Sequence, residues 1–140
     1  MMKQFAPRIL AGAGVLLLVV AGIHIVMTPE LNYLFLRDNP GAAGRFWIAP
    51  FLLNHVVVGI LLVPLGITTL IAASAARSGT GWARTIAITN ALTVLTLPIA
   101  VCLIMGSAYF GALPFLIATI LLAIAALLML FAAISLPSSD

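Results

Sequence analysis

Three side chains in this 140-residue chain combine chemical reactivity with an apolar setting: His24, His55 and Cys102. Each lies inside a run without formal charge if the histidines are neutral, these runs being Ile9 to Pro29, Phe46 to Ala76 and Thr85 to Ser139. An ionisable group at membrane depth is a functional candidate, because the bilayer penalises it. Two imidazoles on neighbouring antiparallel helices are what a low-spin haem b asks of a bundle, one axial nitrogen from each side. His24 and His55 are therefore candidate haem b ligands, with Arg37 or Arg45 placed to meet propionates. The same histidines with Cys102 and a methionine form a ligand set that suits copper, which makes His24, His55 and Cys102 a candidate metal site. The competing reading is structural: His55 and Asn54 act as neutral polar glue, while Gly59 and Gly66, on the His55 stripe at offsets of four and eleven, admit a neighbouring helix.

The third apolar run adds a second polar feature. Thr85, Thr89, Thr93 and Thr96 recur at offsets of four, four and three, with Asn90 beside them. The stripe reads either as a track for a neutral solute or quinone headgroup, or as hydroxyls bonded to helix carbonyls, which makes Thr89, Asn90 and Thr93 packing residues. Pro98 predicts a bend just beyond.

The elements that must carry these residues follow from composition. Hydrophobic residues make up 64% of the chain and charged residues 6%, with six Lys/Arg and three Asp/Glu and a mean hydropathy of +1.31. A soluble domain is nearer one quarter charged. All nine charges lie outside the apolar runs, and a helix needs about 20 apolar residues to cross a ~30 Å hydrocarbon core. The chain is thus expected to be an all-α, four-transmembrane-helix bundle in a single membrane domain, with spans near 9–29, 47–76, 85–106 and 115–136. Thr28-Pro29-Glu30 looks like a helix start, and Asn39-Pro40-Gly41 like a stop. Between them a short amphipathic helix is expected to lie in the interface of the first connection.

Lys3, Arg8, Arg77 and Arg84 fall at one end of such a bundle, against Arg37 and Arg45 at the other. The positive-inside rule then puts both termini in the cytoplasm, in a bacterial cytoplasmic membrane. On that orientation His24, His55 and Cys102 lie roughly 7, 12 and 6 Å below the outer helix ends, from a rise of ~1.5 Å per residue.

Several functions are excluded by what is missing. No carboxylate, lysine or arginine lies within a span, so a proton-coupled transporter built on a buried acid has no material. A paired-carboxylate hydrolase has none either. The pI near 9.8 reflects +3 spread over separate connections, not a nucleic-acid surface.

In size and four-span layout the chain resembles the small bacterial membrane proteins grouped as DoxX-like, with Gly22-Ile23-His24 near the end of the first span as the local likeness. Some members of that group resemble subunits of quinol-oxidising complexes. Three functions are expected. The first is a non-enzymatic accessory or assembly subunit, packing on itself or on a larger membrane complex. The second is a haem b or metal redox module using His24 and His55, and the third a facilitator for a neutral solute.

Overall fold

The computed structural model describes residues 2–38, 41–110 and 113–136. It is all-helical: α1 (Met2–Asp38), α2 (Ala42–Arg77), α3 (Trp82–Tyr109) and α4 (Leu113–Ile134). All four are long and apolar enough to cross a membrane, which makes the chain an integral membrane protein. Short connections force an up-and-down arrangement, and the helices pack as a closed ring, α1 on α2, α2 on α3, α3 on α4 and α4 on α1.

The packing stripe of each helix is built from small residues. Ala6, Leu10, Ala13, Leu17 and Ala21 on α1 are fully buried, as are Ala83, Ala87, Ala91 and Val94 on α3. Their spacing of three and four keeps them on one face. In a membrane, apolar side chains gain little by leaving lipid, so association depends on close backbone approach and interhelical hydrogen bonds. Both are present. A Cβ added at Gly66 would lie 2.8 Å from Leu18 Cγ and 3.1 Å from the Gly14 carbonyl oxygen, and one added at Gly59 would lie 3.1 Å from His24 Cβ. Between α2 and α3, the buried Asn90 amide donates to Thr68 Oγ1 at 2.8 Å and Thr69 Oγ1 at 3.0 Å.

The first connection differs from expectation. Thr28-Pro29-Glu30 starts no new helix, and α1 continues through it to Asp38. The Thr28 hydroxyl donates back to the His24 carbonyl at 2.8 Å, a bond within one helix and not a cap on the next. Pro29 removes a single donor, a loss that membrane helices absorb. The first candidate span thus runs Phe5–Asp38 and takes in Glu30, against the expectation that no carboxylate lies within a span, and no separate interfacial helix exists among the described residues. Of the expected stop, Gly41 is extended ahead of α2, while Asn39 and Pro40 lie outside the described residues. In the last turn of α1, Arg37 Nε donates to Asp38 Oδ1 at 2.8 Å in an exposed ion pair.

In α3, Pro98 is buried, and the non-helical backbone falls eight residues later at Gly106, with φ 63° and ψ −164°. That conformation is open almost only to glycine, and it ends the third span ahead of the turn into α4.

Candidate functional site: a histidine pair at the wall of a bundle cavity

The buried stripes stop at one level on all four helices: at Ala21 on α1, Gly59 on α2, Pro98 on α3 and Leu122 on α4. Beyond that level, toward the α1–α2 connection, the small residues give way to larger ones and a cavity of about 350 Å³ opens between the helices. His24 is the next residue of the α1 stripe, three beyond Ala21. His55 precedes Gly59 by one turn on α2. Because Gly59 has no side chain, the His24 Cβ rests against α2, and its ring is brought onto the ring of His55. The two centroids are 4.6 Å apart with planes inclined by 25°, a stacked pair.

Hydrogen bonding differentiates the two rings. His24 Nδ1 lies 2.9 Å from the Val20 carbonyl oxygen. A carbonyl only accepts, so Nδ1 carries the proton and Nε2 is left as an acceptor. His55 Nε2 is buried without a hydrogen-bond partner among the described residues. Asn54, Thr119 and Met105 are the other polar or sulfur-bearing side chains on the cavity wall, and the rest is apolar, with Phe51 and Phe115 among it. Among the described residues no Asp, Glu, Lys or Arg lines it.

A second cavity, of about 270 Å³, lies between α1 and α4. Val20, Ile23, Pro114, Ile117 and Leu121 make it almost wholly apolar, and it shares His24 and Ala118 with the first. Ile23, Leu113 and Ile117 are exposed, so this cavity reaches the flank of the bundle.

The two histidines foreseen as site residues are thus brought together, but in a geometry of their own. Axial ligands of one haem iron point nitrogen to nitrogen across the macrocycle, with centroids ~6 Å apart if each iron bond is ~2 Å. Rings stacked face to face at 4.6 Å leave no plane for a porphyrin between them. The pair does not fit bis-histidine haem b. Cys102 is exposed on α3 and lines neither cavity. Among the described residues no three His, Cys, Asp or Glu side chains gather, so the His24, His55 and Cys102 set is not assembled.

The threonine stripe also faces outward. Thr89, Thr93 and Thr96 are exposed, with Thr93 bonded to the Thr89 carbonyl at 2.9 Å and Thr96 to that of Thr93 at 2.7 Å. They line neither cavity, whereas Asn90 turns inward to the α2 clamp. Residues that sequence reading passed over include Val58, Val101 and Ala118. The continuation of the α1 stripe from Leu17 and Ala21 to His24 was the available signal that His24 faces inward.

Comparison with known families, with curated proteins and with solved structures gives no match.

Proposed function

We propose that this chain is a non-enzymatic integral membrane protein that binds a small membrane-soluble molecule in its four-helix cavity, with the His24–His55 pair as the polar point of recognition. The observation that carries the reading is the buried, unpartnered His55 Nε2 beside a His24 ring whose Nε2 is held as an acceptor. Leaving such a group unsatisfied costs about 1–3 kcal/mol, which a ligand hydrogen bond would offset. The cavity has the ordinary make-up of a ligand site, apolar and aromatic walls with a few convergent polar atoms. With no acid, lysine or arginine on its walls among the described residues, the site has the means to hold a molecule and little means to transform one. The distribution of Lys and Arg supports termini in the cytoplasm and the cavity in the outer half of the membrane.

Native mass spectrometry on protein released from its own membrane tests this. The expected result is a stoichiometric small-molecule adduct on the wild type that is lost from a folded His24→Phe/His55→Phe variant. An adduct retained by that variant, or none on the wild type, would overturn the reading.

A second reading, the accessory or assembly subunit, is favoured by helix length. At ~1.5 Å per residue α1 spans about 55 Å and α4 about 33 Å, so the α1–α2 hairpin projects well past its partners. Tyr33, Phe46 and Trp47 are exposed on it. Gentle extraction should then recover an oligomer or a larger complex, and a strictly monomeric particle would rule this out.

A further inference from the structure

The two cavities have opposite character and a common wall. One ends on imidazoles, Asn54 and Thr119, while the other is a hydrocarbon-lined trough that reaches the bundle flank between α1 and α4. His24 and Ala118 belong to both. A molecule occupying the pair would be polar at one end and apolar along the rest, and it would lie across Ala118 with its tail toward lipid.

The chemistry of the polar end is restricted further. His24 Nε2 accepts, so it needs a donor, which excludes ketones, esters and ethers as its partner. A phosphate or carboxylate head would find no Lys or Arg on either wall, and an ammonium no Asp or Glu. Burying such a charge unpaired is strongly unfavourable. A hydroxyl donates its one hydrogen to His24 Nε2 and keeps its oxygen lone pairs to accept from His55 Nε2–H, the tautomer that such a head would select. We infer that the ligand is an uncharged amphipathic lipid with a hydroxyl head, which enters between α1 and α4, sets its hydroxyl on the His24–His55 pair and leaves its chain in the α1–α4 trough. This rests on the ligand-binding reading above and names the class of ligand.

The test uses the full chain in nanodiscs and a long-chain primary alcohol carrying a diazirine in its tail. Photolabelling is expected on the trough residues of α1 and α4, around Ile23, Ile117 and Leu121. The unlabelled alcohol should compete and its methyl ether roughly tenfold less well, the loss of about one hydrogen bond, while its phosphate ester should not compete, its charge having no partner there. Ala118→Leu, which narrows the common wall, should suppress labelling in a protein of unchanged helicity. An ether that competes as well as the alcohol would overturn the hydroxyl assignment and leave the cavity reading standing. Labelling spread evenly over the lipid-facing surface would overturn the entry route. No labelling, with a different adduct found by native mass spectrometry, refutes this ligand class alone. No labelling and no adduct refutes both.

Discussion

His24 and His55 sit where the packing stripes of α1 and α2 end, and each ring is defined by what it lacks as much as by what it touches. His24 uses Nδ1 on its own helix, and His55 leaves Nε2 buried and unpartnered. A polar group held in that state weakens the unliganded fold, so His55→Phe should leave thermal stability unchanged or raise it by about 1 kcal/mol, while ligand binding is lost. Thermal unfolding in detergent, run alongside native mass spectrometry, separates those two effects. Asn90 is the contrasting case, since its amide clamps α3 to Thr68 and Thr69 of α2. Asn90→Leu should lower stability by about 1 kcal/mol without altering binding, because interhelical hydrogen bonds in membranes contribute of that order. Residue types alone mark His24 and His55 as singular, because titratable groups at membrane depth are few. Their mutual orientation is not legible in the same way: it depends on Gly59 letting α1 approach, a contact between helices that no local pattern encodes.

At the scale of elements, α1 and α2 are joined by reciprocal glycines. Gly14 and Gly66 each face the other's backbone, and Leu18 and Leu70 fold over them. Gly66→Val should push the helices apart and destabilise the protein by about 2 kcal/mol, as overpacking typically does. It should also disturb the His24–His55 stack one face-length away, which the bound-ligand mass would report. Charge placement marks the first two connections, whereas the third lies inside the uncharged run from Thr85 to Ser139 and follows from the length of that run, which holds two spans. The continuity of α1 through Pro29 was not readable in this way. Thr28-Pro29-Glu30 carries the residues of a helix start, but in a bilayer the hydroxyl finds its nearest acceptor on its own helix, and the apolar run from Leu31 to Leu36 continues the element. The threonines of α3 repeat that lesson, with hydroxyls turned back on their own carbonyls.

For the whole molecule, the decisive feature is that tight packing reaches only part of its length. Small residues close the bundle near the termini, and the loss of that stripe beyond Ala21, Gly59, Pro98 and Leu122 opens the cavity. No Asp, Glu, Lys or Arg among the described residues lines the cavity, so under the proposed reading recognition falls to two imidazoles. Nitrogen NMR of the protein with labelled histidine side chains, in lipid bilayers before and after addition of a total membrane lipid extract, tests that claim most directly. The Nε2 resonances of His24 and His55 should shift on addition while His24 Nδ1, bonded to Val20, keeps its proton-bearing position. Nε2 resonances indifferent to the extract, in a protein that still carries its bound molecule by mass, would contradict it.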